Sequence, residues 1–280
     1  KVALFEKKAL GCVCLNEGCI PSKALLYSAK VFDYANHAAA CGVTVKGASI
    51  DQNAVIDRKD GVVKTLVSGV GAAMKKNRVT VINAVAVIKG KTADGFEVEA
   101  TGIAGDAAGK VYTGKKLIVA AGSEAVVPSI PGAKEGLAAG YVLTNREILN
   151  LREIPKALAI VGGGVIGLEM ASYFCSVGSK VTVIEMLNKI AGPTDDEISA
   201  ILQKNYAEKG VDFKLGCKVT GFEKGFVSYA DADGKEQKSA CDYALLSIGR
   251  RPSCAELGLE SVGVYVERGA IKTDDHLLTN

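Results

Sequence analysis

The chain has 280 residues, 48% of them hydrophobic and 23% charged, with a formal net charge of +3. That is ordinary globular composition, enough for two domains, and the evenly spread Lys and Arg form no basic stripe of the kind that binds nucleic acid. Apolar runs such as Tyr243–Ile248 are far too short to cross a bilayer, and no secretory signal is read in the opening KVALFEKK.

In chain order, Lys1–Glu6 reads as a short buried strand ending in an acid. GCVCLNEGCIPSKALL follows, with Cys12, Cys14 and Cys19 in eight positions. A zinc site wants four ligands in closely spaced pairs, and the only histidines, His37 and His276, are not spaced as partners. A disulfide between Cys14 and Cys19 is a second reading. Residues five apart in an ideal helix have Cα atoms roughly 8–9 Å apart, whereas a disulfide needs less than about 7 Å. CLNEGC therefore cannot be regular helix if the two are bonded, and Asn16 and Gly18 are turn formers that permit the bend. Pro21 suits the first turn of the helix that follows, so Cys19 sits near a helix start, where the dipole favours a thiolate. A structural bond gains nothing from that, whereas a redox bond does. The other five cysteines (41, 175, 217, 241 and 254) read as small buried hydrophobes in a reducing compartment.

Ser22–Ala40 and Asn53–Asn77 are predicted helices. RVTVINAVAVIKG, GFEVEA and KKLIVA, between Arg78 and Ala120, are predicted strands of a small β-meander, with Gly102–Lys110 a surface loop. From Leu151 the pattern becomes strand, glycine-rich turn, helix, strand, acid. Gly162, Gly164 and Gly167 form GxGxxG, and Glu185 follows Gly167 by eighteen residues. The glycines let the backbone approach a pyrophosphate at the helix start. The acid accepts from a ribose 2′-hydroxyl and repels a 2′-phosphate, so the unit reads as binding NAD rather than NADP. A tight strand–helix turn without a ligand is the plainer alternative. A helix near Asp195–Lys209 and strands near Val211–Leu215, Gly225–Tyr229 and Tyr243–Ile248 complete the unit.

CLNEGCIPSKALL closely resembles the CLNVGCIPSKALL stretch of the dihydrolipoyl dehydrogenase family, within the flavin-linked pyridine nucleotide–disulfide oxidoreductases. AAGSEAVVPSIPG (Ala120–Gly132) and SIGRRP (Ser247–Pro252) resemble two more of its motifs. The resemblance implies an α/β fold of two Rossmann-like dinucleotide-binding domains with a small β-meander. Residues 1–145 would be an FAD-binding domain, incomplete because no glycine-rich turn precedes Lys1. Residues 146–256 would be the NAD-binding domain, and 257–280 a truncated return toward the first. It implies FAD and NAD as cofactors, with no metal. Cys14 would be the sulfur that meets substrate and Cys19 the flavin-facing one, with Lys23 beside the flavin and paired to Glu169. Glu6 would hold the adenosine ribose of FAD, and Ala86, Ala121, Gly122 and Ser123 would also contact FAD. Val165 would line the nicotinamide pocket, and Glu169, Val219 and Gly249 would lie along NAD with Gly162, Gly164, Gly167 and Glu185.

The implied reaction is oxidation of protein-bound dihydrolipoamide by NAD⁺ through a redox-active disulfide. The implied partners are the lipoyl groups of 2-oxo acid dehydrogenase or glycine cleavage complexes. A homodimer in the full-length enzyme is implied too, located in a bacterial cytoplasm or a mitochondrial matrix. Departures from the family pattern are Cys12 for Gly, Val13 for Thr, Ala121 for Thr, and Glu17 for an apolar residue between the cysteines, whose charge would disfavour a thiolate. Neither histidine matches the family's acid–base His, so none is assigned, and the chain alone is expected to be inactive. Glutathione and mercuric reductases share the cysteine spacing. Other classes are a nucleotide-binding module without redox chemistry and a zinc-stabilised interaction protein.

Overall fold

The computed structural model describes residues 1–102 and 109–280. The predicted loop Gly102–Lys110 lies mostly outside the described residues. In chain order, β1 (Val2–Phe5) leads to α1 (Cys12–Glu17), α2 (Cys19–Asn36) and α3 (Gln52–Lys76). Then come β2 (Val79–Ile82), β3 (Val85–Thr92), β4 (Gly95–Thr101), β5 (Val111–Gly114) and β6 (Ser123–Ala125). Next are α4 (Ala133–Ala139), β7 (Val142–Leu143), α5 (Asn145–Ile148), β8 (Ala157–Val161), α6 (Val165–Ser176), β9 (Lys180–Ile184) and α7 (Asp196–Glu208). The chain continues with β10 (Asp212–Lys214), β11 (Lys218–Glu223), β12 (Phe226–Ala230), β13 (Glu236–Ala240), β14 (Tyr243–Leu246) and β15 (Arg250–Pro252). No helix among the described residues is long and apolar enough to cross a membrane.

The chain forms two compact units by contact. One comprises Lys1–Asn16, Lys64–Glu124 and Arg250–Asn280; the other comprises Glu17–Val63 and Ala125–Gly249. In the first, β1 pairs in parallel with β2, from Val2 opposite Val79 to Phe5 opposite Ile82. β3, β4 and β5 form an antiparallel meander whose register slips between Ile88 and Gly90. Ile82, Ala84 and Ala100 make its small core, with Phe5 and Tyr112 edge-to-face at 5.3 Å.

The third predicted meander strand, KKLIVA, is a correction. The strand is β5, just upstream, and Lys115–Ala120 forms no strand; Ile118 is 88% exposed. Periodicity marks a run as strand-like, but a strand needs a neighbour to take its backbone hydrogen bonds, and β4 pairs with Val111–Gly114 instead.

The second unit is a five-stranded parallel sheet in the order β10-β9-β8-β14-β7. Its central strands, ALAIV and KVTVI, are nearly continuous apolar runs, as a sheet covered on both faces requires. The crossover from β8 to β9 is α6, which buries Leu168, Met170, Ala171, Tyr173 and Phe174. Helix α2 packs against α6, contributing Leu25 and Ala29 to the same core. Buried Tyr173 donates its hydroxyl to Gln52 Oε1 at 2.5 Å, and burial pushes its pKa up to about 12. An antiparallel sheet, β11-β12-β13, adds a second cluster around Phe222, Val227 and Tyr229. Of these three strands only β12 matches a predicted one (Gly225–Tyr229); β11 and β13 add to the sequence expectation.

Among the lone cysteines, Cys217 and Cys241 are buried as expected, and desolvation raises the Cys241 thiol to about 11. Cys175 and Cys254 are half-buried. Cys41 is exposed and does not belong to the core: it ends a 3₁₀ turn (Ala38–Cys41) that buries no residue.

Phe174 is fully buried against Tyr173 at 5.0 Å between ring centroids. Phe174→Ala is expected to lower unfolding free energy by about 3–5 kcal/mol, measured by urea denaturation followed by circular dichroism.

Candidate functional site

The cysteine stretch breaks where Gly18 falls. α1 ends at Glu17, Gly18 leaves helical geometry (φ −146°, ψ −114°), and α2 starts at Cys19. The break brings two residues five apart within bonding reach, and Cys14 and Cys19 form a disulfide. Asn16 secures the turn, its Nδ2 donating to Leu10 O and Cys12 O at 2.9 Å each. Cys12 is exposed and free. Among the described residues no three His, Cys, Asp or Glu side chains cluster as a metal site would need.

Lys23, one turn into α2, donates from Nζ to Glu169 Oε1 on α6 at 2.5 Å. Lys23 is 60% exposed and Glu169 23%, so the pair contributes at most about 1 kcal/mol to stability and matters more for where it holds the ammonium. Glu17, between the two cysteines, also has a partner. Arg146 Nε donates to its Oε2 at 2.5 Å, and Asn145 Nδ2 donates to its backbone O at 2.7 Å. Both partners lie on α5, whose start carries a capping box between Thr144 and Glu147. Partial desolvation opposes charge on the Glu147 carboxyl. Hydrogen bonds from the Thr144 hydroxyl (2.6 Å) and N–H (2.7 Å), together with the Arg146 charge, outweigh it and hold its pKa below the ordinary value.

The glycine-rich turn is built for close approach. Gly162 has φ +104°, and a Cβ there would lie 2.6 Å from Ser247 O. A Cβ on Gly167 would lie 2.2 Å from Gly162 O, so α6 can pack on the turn only without a side chain. At Gly164, the cap of α6, a Cβ would meet nothing within 4 Å. Gly164 caps a twelve-residue helix, whose first-turn amides have no partner within the helix, the usual seat of a pyrophosphate. Val165, its first residue, is 67% exposed. Glu185, just past β9, is fixed by two backbone donors: Gly163 N–H to Oε2 at 2.6 Å and Leu187 N–H to Oε1 at 2.8 Å. A carboxylate accepts about four hydrogen bonds, so capacity for a ribose diol remains. These residues fit a pyridine dinucleotide.

The remaining candidates lie as follows. Glu6 follows β1, and its Oε1 accepts from Lys8 N–H at 2.8 Å. Ala86 is half-buried on β3 opposite Ala100. Ala121 and Gly122 are exposed, Gly122 with φ +75° and open space where a Cβ would stand. Ser123 is bound by Arg250, through its Oγ at 2.9 Å and its backbone O at 2.5 Å. The exposed backbone at Ala121–Gly122 suits a ligand contact made without side chains. Val219 is buried, only 7% exposed, on β11 opposite Tyr229, and Gly249 has φ +126°. The sequence reading missed Ser247, whose Oγ lies 2.9 Å from Gly162 O, although its SIGRRP stretch was noted. It also missed Asn145 and Arg146, nearly 130 residues from Glu17.

A broken helix with a disulfide and a dinucleotide turn define a pyridine nucleotide-linked disulfide oxidoreductase, and residues 1–280 match the family model for pyridine nucleotide-disulphide oxidoreductases: the chain belongs to that family, whose members use FAD and NAD(P). Among curated proteins, it is 42% identical over 281 residues to the dihydrolipoyl dehydrogenase of Acholeplasma laidlawii, covering all of this chain and 80% of that one. It is 38% identical to the enzyme of that name from Cupriavidus necator and 37% to that of Chlamydia muridarum. It spans only 56% and 58% of those two relatives. The solved HOCl-induced flavoprotein disulfide reductase RclA of Escherichia coli superposes with a TM-score of 0.81 at 28% identity, covering 99% of this chain and 58% of that one.

Gly167→Ala should abolish detectable NADH binding by fluorescence titration, with secondary structure retained. Glu147→Gln should be less stable than the parent at pH 7. Because the Glu147 pKa is lowered on folding, the difference should shrink as pH falls below about 4 and the carboxylate protonates, read as thermal midpoints across pH.

Proposed function

We propose that this chain carries the disulfide-redox and nucleotide-binding machinery of a dihydrolipoyl dehydrogenase, oxidising protein-bound dihydrolipoamide with NAD⁺. The observation that carries the reading is the Cys14–Cys19 disulfide held across a helix break, with the second sulfur at the start of α2.

A substrate thiolate would attack Cys14 Sγ, breaking the Cys14–Cys19 bond and releasing Cys19 as thiolate. The second substrate thiol would then attack the mixed disulfide, closing the lipoamide ring and freeing Cys14. Two electrons thus pass to the cysteine pair. Bound FAD supplies the step from the dithiol to hydride transfer onto NAD⁺. The start of α2 favours the Cys19 thiolate. Lys23, held by Glu169 on α6, keeps a cation one turn from Cys19. Gly162, Gly164 and Gly167 admit the NAD pyrophosphate, and Glu185 takes the adenosine ribose and disfavours a 2′-phosphate. Glu6, Ala86 and Ala121–Ser123 are proposed FAD contacts.

The test is anaerobic reduction of the full-length flavin-bound protein by dihydrolipoamide. A new long-wavelength absorbance band is expected, followed by NADH formation, with at least a hundredfold preference for NAD⁺ over NADP⁺. Cys14→Ser and Cys19→Ser should each lose turnover by at least a thousandfold. Turnover of glutathione disulfide with NADPH, and none of dihydrolipoamide, would overturn the substrate assignment.

A further inference from the structure

Glu17 stands inside the disulfide loop, three residues from Cys14 on the same helix and two from Cys19. Residues three apart on a helix are surface neighbours, roughly 5–6 Å between Cβ atoms. A carboxylate there opposes a thiolate, and so opposes opening of the disulfide. The structure places a guanidinium directly on that carboxylate, Arg146 Nε to Glu17 Oε2 at 2.5 Å. Arg146 is well supported: its N–H donates to Thr144 Oγ1 at 3.4 Å, and its backbone O accepts from Asn150 Nδ2 at 2.8 Å. Asn150 Oδ1 in turn accepts from buried Lys59 at 2.6 Å. Asn145, only 6% exposed, holds the Glu17 backbone from the same short helix. Glu17 and Arg146 are only partly exposed, 22% and 42%, so solvent does not fully screen them. Lys23, four residues beyond Cys19 on α2, is paired separately with Glu169.

We propose that Arg146 and Glu17 form a charge-balanced pair that sets the reduction equilibrium of the Cys14–Cys19 disulfide, with Arg146 as a positioning residue supplied by α5. The proposal rests on the redox reading of those cysteines. Reduction by glutathione breaks the Cys14–Cys19 bond and forms one bond between two glutathiones. Two electrons enter the protein, and one of the two thiol protons is released when one cysteine remains a thiolate. Removing the cation should therefore disfavour the reduced state, and removing the carboxylate should favour it.

The experiment equilibrates the full-length protein with graded glutathione and glutathione disulfide at fixed pH, then traps free Cys14 and Cys19 by alkylation for mass spectrometry. Arg146→Met should lower the equilibrium constant for reduction about threefold to tenfold, and Glu17→Gln should raise it by a similar factor. The double variant should return to within about twofold of the parent, and Arg146→Lys should largely retain the parent value. A tenfold change corresponds to about 30 mV. If the pair served only as a tether, both single variants would shift the constant in the same direction, and that result overturns the proposal, as does no shift in either. A parent disulfide that never opens across the series would instead overturn the redox reading beneath it.

Discussion

The arrangement depends on one interruption of a helix. Without the departure at Gly18, Cys14 and Cys19 would stand too far apart to bond. With it, the second cysteine becomes the first residue of a new helix and gains the field of eighteen aligned residues. That helix is anchored by its apolar face. Leu25 and Ala29 enter the core of the parallel sheet, and α2 lies against α6. The helix that carries a redox sulfur is thereby packed on the helix that begins at the glycine-rich turn. Within one unit, the nucleotide turn and Cys19 share a rigid frame.

The two ion pairs at this frame have little to do with holding it together. Partly exposed pairs are each worth at most about 1 kcal/mol, whereas a fully buried aromatic such as Phe174 is worth several. What the pairs determine is the placement of charge. Lys23 with Glu169, and Arg146 with Glu17, each set a cation against an anion in or beside the disulfide stretch, so each carboxylate there is matched by a fixed positive charge. An acid between the cysteines looked unfavourable on the sequence because its partner was out of view.

What the sequence revealed and what it hid divide along contact range. The β8–turn–α6–β9 unit was legible because its determinants are local: glycines where a Cβ would strike backbone, an apolar run, and an acid at the strand end. The break in CLNEGC was legible because helix geometry alone forbids the bond otherwise. Lys115–Ala120 misled because alternation reports a pattern and not a pairing partner. β11 and β13 escaped because KVTGFE and EQKSA carry too few apolar residues to announce strands; their antiparallel partner β12 supplies the ordering. Arg146 could not be paired with Glu17 from spacing, since the tertiary fold alone brings α5 to the cysteine loop.

The handling of Glu185 follows the same logic of fixing charge before a ligand arrives. Both carboxylate oxygens accept backbone N–H groups, one from the glycine-rich turn and one from the residue two places on. Those donors cannot rotate away, so the acid is oriented by the fold and not by its own rotamer. Under the proposed reading, the preference for a ribose over a 2′-phosphate then comes from an anion that has no freedom to yield. A phosphate would have to displace a carboxylate from two hydrogen bonds or accept its repulsion at close range. Discrimination of that kind needs no additional side chain, and it is set by the same turn that lets the backbone approach the pyrophosphate.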